Sequence, residues 1–335
     1  MAAEGQGTPA PDDVLVVIPT LNEAAHIAAC LASLRSDEAG RTARLVIADG
    51  GSTDGTVAAA RAADPAVRIV ANEGVLQSAG VNAAVAEAGQ GARYLVRCDA
   101  HSIYPPGYVR DVVAALEARP DAASVGSVLD STGEGCFARA LAWVVDTPLG
   151  SGGSAHRGGR RSGWVDHAHH AGFRLDWFRR IGGYDPTFSH NEDAEYDVRL
   201  RAAGGKVWLA ADLRVGYAVR PTPRGLARQY WNYGRGRART VRKHGLRPRL
   251  RQMIPVVNLA VLLACAALGF VLPPLWIVPA SYLALLASVS AAGAMSLRGA
   301  CGLWAGPALA ILHNAWGAGF VAGLVSRDHD SRRGP

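Results

Sequence analysis

The chain has 335 residues, a formal net charge of +7 and only 19% charged residues. That charged fraction is low for a wholly soluble chain, and the deficit is local, because between Gln252 and Ser326 the only formally charged side chain is Arg298. The positive charge is local too: Pro221 to Arg251 holds ten Arg or Lys and no acid, leaving the rest of the chain at 7 − 10 = −3.

Residues 1–13, rich in Ala, Gly and Pro, read as disordered and carry no secretory signal. "VLVVI" (Val14–Ile18) then reads as a buried strand stopped by Pro19, with Asn22 capping a helix whose apolar face is Ile27, Leu31 and Leu34. The plan repeats with a strand at Arg44–Ala48, a polar Gly-rich turn and a helix from about Thr53. "VRIVAN" is a third strand, Ser78–Ala88 a helix, and Tyr94–Cys98 a fourth strand. Alternation at this spacing predicts a parallel sheet with helices on both faces. Ligands of such sheets bind beyond the carboxyl ends of the strands, where Pro19–Glu23, Asp49–Asp54 and Asp99–His101 all fall.

"ADGGSTDGT" lacks the G-x-G-x-x-G of a dinucleotide fingerprint, and Asp49 would repel a pyrophosphate set against it. An acid there suits the N–H and O–H donors of a base or ribose. Asp99 and His101, one residue apart, can reach one ligand, and a metal ion is the candidate; the rival reading has His101 merely opening the Pro105-Pro106 loop. Further on, "HNEDAEYDVRLRAAG" places Glu192 and Asp193 at the start of a helix whose Val198 and Leu200 can pack inward. A carboxylate held at a helix N-terminus can take a proton from a hydroxyl. "DHAHHAG" (Asp166–Gly172) adds three histidines ahead of that helix, in a role left open. "GSGGSAHRGGRR" is a basic loop, either solvated or touching an acceptor's phosphates.

Ahead of the tail, the basic segment marks the cytoplasmic side of a membrane and suits anionic lipid, which argues against nucleic acid as its partner. A span takes about 20 apolar residues, so the tail has room for about three: Met253–Leu272, Leu275–Leu297 and Gly302–Val325, with Pro273-Pro274 as a tight hairpin. Three spans would leave the basic tail 327–335 outside, against the positive-inside tendency, unless one span is re-entrant. The five cysteines form no C-x-x-C pair, so neither a zinc site nor a disulfide framework is expected.

"VVIPTLNE", "IADGGSTDGT", "RCDAHSIYPPGYV" and "HNEDAEYDVRLRAAGGKVWL", in this order from about Val14 to Tyr217, resemble a family 2 glycosyltransferase of the GT-A fold. D-A-H, "GSGGSAHR" and the membrane tail further resemble bacterial exopolysaccharide enzymes of the succinoglycan type. The resemblance implies a Rossmann-like α/β transferase domain over residues 14–220, a basic juxtamembrane segment 221–251, transmembrane helices within 252–326 and a polar tail 327–335. It implies a nucleotide-sugar donor, UDP-linked or carrying another nucleotide, with Asp49 at the uracil end and Pro19, Thr20 and Glu23 lining the nucleotide pocket. The family's D-x-D stands here as D-x-H, so Asp99 and His101 would hold the divalent ion on the diphosphate, a change that favours Mn²⁺ over Mg²⁺. Asp193 would be the base of a single displacement that inverts the anomeric carbon, with Glu192 positioning the acceptor. His169 and His170 fall on the acceptor side. Gln229 stands where the family often has Q-x-x-R-W, but Asn232 and Tyr233 replace Arg and Trp, which argues against a processive synthase; Arg235 or Arg237 would touch the leaving diphosphate. The reading is a membrane-bound enzyme adding a sugar to a lipid-linked or saccharide acceptor at the cytoplasmic face. A polyprenyl-phosphate glycosyltransferase is the alternative within the fold. An inactive scaffold is disfavoured by Asp99, His101, Glu192 and Asp193.

Overall fold

The computed structural model describes residues 13–326, so the expected disordered N-terminus (1–13, Asp13 apart) and the polar tail (327–335) lie outside the described residues. In chain order come β1 (Val14–Thr20), α1 (Ile27–Leu34), α2 (Glu38–Thr42), β2 (Arg44–Asp49), α3 (Thr56–Ala63), β3 (Arg68–Ala71) and α4 (Gln77–Ala88). There follow β4 (Tyr94–Arg97), α5 (Tyr108–Glu117), β5 (Ser124–Thr132), α6 (Gly135–Val145), α7 (Pro148–Ser151), β6 (Gly163–Val165) and β7 (His169–Arg174). The last elements are α8 (Leu175–Arg180), α9 (Glu192–Ala202), β8 (Val207–Ala218), α10 (Pro223–His244), α11 (Leu250–Leu268), α12 (Ile277–Ser296) and α13 (Ala305–Val325). Two compact units divide the chain: the first runs to Val128 and includes Arg160–Val215, and the second holds Leu129–Gly159 and the chain from Gly216 onward.

The sheet has the strand order β3-β2-β1-β4-β7-β5-β8-β6. The first four strands are parallel as expected. The sheet is nevertheless mixed, because β7 runs antiparallel to both β4 and β5, and β6 antiparallel to β8. Burial periodicity carries no strand direction, so the reversal was invisible in the sequence. Pro19 does not stop β1. It pairs with Ala48 of β2, and the pairing with β4 ends at Val17 opposite Arg97, so the missing N–H falls beyond that ladder.

The first two turns lace together, which moves both following helices. Asn22 takes φ 54°, a left-handed conformation that Asn tolerates, and does not cap α1. Its Oδ1 instead accepts from the Thr53 amide at 2.9 Å, and its own amide donates to Ser52 Oγ at 2.9 Å. The Glu23 amide donates to Thr56 Oγ1 at 2.8 Å, and the Ala24 amide to Asp54 Oδ2 at 3.0 Å. α3 therefore starts at Thr56, after Gly55 with φ 92°.

A cluster of aromatic rings orients β7, α8 and α9. Phe178 lies 5.2 Å from Phe173, 5.4 Å from Tyr184 and 5.5 Å from Tyr196, centroid to centroid. Edge-on and offset pairs of this kind each contribute about 0.5–1.5 kcal/mol beyond area burial. α9 buries Ala194, Tyr196 and Leu200, while Val198 stays half-exposed rather than inward. Arg199 fixes the helix by an ion pair to Glu195 (2.8 Å) and hydrogen bonds to the carbonyls of Ile181 (2.7 Å) and Gly183 (2.8 Å).

In the second unit the "GSGGSAHRGGRR" segment is partly folded, against its reading as a loop: it contributes to α7, and Arg157 bridges to Leu129 and stacks its guanidinium 4.3 Å from the Tyr217 ring. Cys136 and Cys301 form a disulfide, contrary to expectation. They are 165 residues apart, a separation that no local cysteine spacing encodes. α11, α12 and α13 are each long and apolar enough to cross a membrane, and a 3-10 turn at Pro273–Trp276 joins the first two.

Candidate active site

The site is built at the carboxyl ends of β1, β2 and β4, all within the first unit. Thr20 faces Asp49 across the β1–β2 ladder and turns its hydroxyl onto the Ile18 carbonyl at 3.0 Å. Asp49 Oδ2 accepts from the amides of Gly51 and Ser52, both at 3.1 Å, which holds a half-exposed carboxylate at the strand end. Glu23 Oε1 meets His101 Nδ1 at 3.0 Å, so two residues assigned to separate tasks touch each other.

Asp99 sits between two cationic or polar partners. Its Oδ1 is 3.7 Å from Arg97 Nη2, and its Oδ2 is 3.5 Å from His169 Nε2. Ser127 Oγ lies 3.2 Å from the other ring nitrogen of His169, which fixes the ring with Nε2 toward Asp99. Burial alone would raise the Asp99 carboxyl, but the His169 hydrogen bond and the Arg97 guanidinium outweigh it and hold the group well below the usual carboxylate range.

Glu192 and Asp193 open α9 in contrasting surroundings. The Glu192 side chain is 4% exposed, with Oε1 3.1 Å from Arg97 Nη2 and 2.6 Å from Gln77 Nε2. Burial pushes its carboxyl up to about 7 despite the neighbouring guanidinium. The Asp193 side chain is 23% exposed. There the positive fields of His167, His170 and Arg97 overcome burial and keep the carboxyl well below its ordinary value.

Behind Asp193 runs a chain of buried polar groups. His167 Nε2 is 3.9 Å from Asp193 Oδ2, and its Nδ1 is 2.8 Å from Asp197 Oδ2. Asp197 Oδ1 meets His170 Nε2 at 2.9 Å, His170 Nδ1 meets Tyr184 Oη at 2.7 Å, and Arg97 Nη1 stands 3.4 Å from the same phenol. Arg97 then returns to Glu192 and Asp99, closing a ring around the two acids.

Sequence reasoning missed Arg97, Gln77, Tyr184 and Asp197, and left His167 without a role. Two signals were present: a charged residue inside the apolar run "YLVRC", and Asp197 one helical turn beyond Asp193. Among the expected acceptor contacts, His169 lies beside Asp99 instead, and His170 is fully buried, so it acts through Asp197 and Tyr184 rather than by touching an acceptor. Gln229 belongs to the second unit, where its Nε2 donates to Tyr217 Oη (2.7 Å) and Tyr233 Oη (3.1 Å) and is thereby engaged. Arg235 and Arg237 lie on α10 of that unit, with the Arg235 backbone packed against Gly323.

Among the described residues no three His, Cys, Asp or Glu side chains converge as a ready metal cluster. A diphosphate-bound Mn²⁺ or Mg²⁺ needs only one or two protein ligands, and the half-exposed Asp99 carboxylate with the imidazoles of His101 and His169 supplies that type of donor set.

Strands β1 to β4 with acids at their carboxyl ends, followed by an acid pair opening a helix, define a sugar-nucleotide transferase fold of the GT-A type. Residues 15–182 match the Glycosyl transferase family 2 model. The chain is 43% identical over 316 residues to "Succinoglycan biosynthesis protein ExoA" of Rhizobium meliloti (strain 1021), covering 93% of this chain and 94% of that protein. Among solved structures it is similar to the mannosyltransferase PcManGT from Pyrobaculum calidifontis in complex with GDP-Man and Mn²⁺, with TM-score 0.58, 19% identity, and coverage of 96% and 91% of the two chains. S. aureus TarS 1-349 in complex with UDP matches at TM-score 0.45 and 12% identity, over 67% of this chain and 65% of that one. This chain belongs to glycosyltransferase family 2 and is a glycosyltransferase.

Proposed function

We propose that the enzyme moves one sugar, with inversion, from a UDP-linked donor to a lipid-linked or saccharide acceptor at the cytoplasmic membrane face, in exopolysaccharide synthesis. The relative named for succinoglycan biosynthesis supports the pathway class, and the GDP-Man and Mn²⁺ of the structural neighbour support a nucleotide sugar and a divalent ion. Residues 14–220 are the catalytic segment in this reading, the cations of 221–251 meet anionic headgroups, and apolar helices within 252–326 anchor the chain.

The observation that carries the mechanism is the unequal exposure of the acid pair, 23% for the Asp193 side chain against 4% for Glu192. Asp193 alone can reach an acceptor hydroxyl. It takes the hydroxyl proton as the oxygen bonds to the anomeric carbon, while the bond to the donor diphosphate breaks and its electrons leave with the nucleoside diphosphate. His167, held at its other ring nitrogen by Asp197, faces the Asp193 carboxylate and orients it. Glu192, expected to position the acceptor, is instead tied to Arg97 and Gln77. Asp99, with His101 or His169, would hold a divalent ion, which supplies positive charge to the departing diphosphate. Asp49 reads the base, and Pro19, Thr20 and Glu23 line the nucleotide pocket.

The test incubates membranes containing the wild type or Asp193→Asn with a panel of nucleotide sugars and extracted lipid acceptor. Asp193→Asn should bind the donor and lose turnover by roughly 100-fold or more. Wild-type turnover in that variant would remove Asp193 from the chemistry, and no transfer from any nucleotide sugar by the wild type would overturn the assignment as a whole.

A further inference from the structure

The three apolar helices are packed unequally: 0%, 6% and 39% of their apolar windows are buried in α11, α12 and α13 respectively. The direction of the packing explains the difference. α13 runs alongside α10 and parallel to it, with Gly319 against Trp231, Gly234 against Trp316 and Phe320, and Gly323 against Arg235 and Ala238. Farther along, Arg242 Nη1 donates to the Gly323 carbonyl at 3.2 Å and also reaches the Ser326 carbonyl. The backbones approach so closely that a Cβ at Gly319 would lie 2.2 Å from the Trp231 carbonyl oxygen.

Toward the other two helices α13 passes from the end of α12 to the start of α11. Gly302 abuts Gly293, Gly306 abuts Leu286 and Ser290, and Asn314 faces Tyr282, all on the α12 side. Gly317 abuts Pro255, and Phe320 with Trp316 joins Met253 and Val256 at the start of α11. Tyr282 also faces Asn258, so α11 and α12 meet over the middle of α13 and diverge toward its two ends. α13 thus begins beside the end of α12 and finishes beside the start of α11. In a helical hairpin those two ends lie on one face of the bilayer.

α10 carries seven Arg or Lys and no acid over its 22 residues, and such a helix does not sit at hydrocarbon depth. Whatever lies along it over its length shares its depth. The opposite character belongs to the hairpin tip, where Phe270, Val271 and Ile277 are 81%, 78% and 70% exposed.

We propose that α13 does not cross the membrane: it lies along α10 at the bilayer surface, the α11–α12 hairpin is the part inserted into lipid, and the C-terminus stays on the face that carries the α10 cations. The inference rests on these helices being the membrane anchor. It also removes the conflict that three crossings create with the positive-inside tendency.

Two measurements on the full chain test it. With green fluorescent protein or alkaline phosphatase fused after Pro335 and expressed in bacteria, the first should fluoresce and the second stay inactive. In a Cys265→Ser background, nitroxides on Ala315→Cys (midway along α13) and Leu263→Cys (α11) are compared in phosphatidylcholine–phosphatidylglycerol bilayers. Ala315 should report the headgroup region through collisions with a nickel chelate, and Leu263 the hydrocarbon through collisions with oxygen. An active phosphatase fusion, or an Ala315 label as deep as Leu263, would overturn the surface placement while leaving the anchor intact. Release of the full chain from membranes by alkaline carbonate would instead overturn the anchor reading, and this inference with it.

Discussion

Glu192→Gln isolates the cost of keeping a charged carboxylate in the buried position behind the base. Burial raises the Glu192 carboxyl from 4.5 to about 7, so the folded protein holds that proton more tightly than the unfolded chain does. Its stabilising effect is therefore present below the ordinary carboxylate range and is lost as pH rises through about 7. At about 1.36 kcal/mol per unit, a rise in this direction corresponds to a loss on the order of a few kcal/mol across that window. Glutamine cannot ionise, so the variant should gain on the order of a few kcal/mol relative to wild type as pH rises from about 4.5 to about 8, whatever constant offset the lost Arg97 contact adds. Asp99 and Asp193 remain in both proteins, and their titration cancels to first order in the difference. Unfolding in detergent, followed by tryptophan fluorescence at a series of pH values, measures it. Two stability curves that stay parallel across that range would refute the claim that burial raises the Glu192 carboxyl.

Three more outcomes concern the same site. Asp197→Asn takes the carboxylate from His167 and His170, and should lower kcat by roughly 10- to 100-fold and displace the pH–rate profile with donor KM little changed; an unaltered profile would remove the His167–Asp197 pair from the setting of Asp193. Arg97→Met leaves Glu192 and Asp99 without their shared guanidinium, and breaking a buried pair costs about 3–5 kcal/mol, so thermal unfolding that moves by less than about 1 kcal/mol would contradict the tie between β4 and α9. Activity should vanish in chelator and return with Mn²⁺, with His101→Ala weakening the metal response and His101→Asp shifting it toward Mg²⁺; superimposable metal titrations for wild type and His101→Ala would exclude His101 as a ligand.

Strands β1 to β4 and the apolar tail were legible in the sequence because each is decided locally. A buried strand must be apolar along its length, and a helix in lipid must be apolar on every side, whatever its neighbours are. The acid pair opening α9 was legible for a related reason, since a helix N-terminus favours carboxylates wherever it lies. What only the tertiary structure decided involves partners distant along the chain. Gln77 reaches Glu192 across 115 residues, Arg97 at the end of β4 reaches Glu192 at the start of α9, and β7 enters the sheet antiparallel. The same reversed strand delivers His169 to Asp99 and His170 to Asp197, which turns a histidine cluster with no spacing rule into two separate tasks. The cap expected of Asn22 went instead to the second turn, because only the β1–β2 pairing brings Thr53 within reach. Composition alone made α13 equal to α11 and α12; its glycines against α10 set it apart, because close backbone approach depends on which helix faces which, and hydropathy contains no such direction.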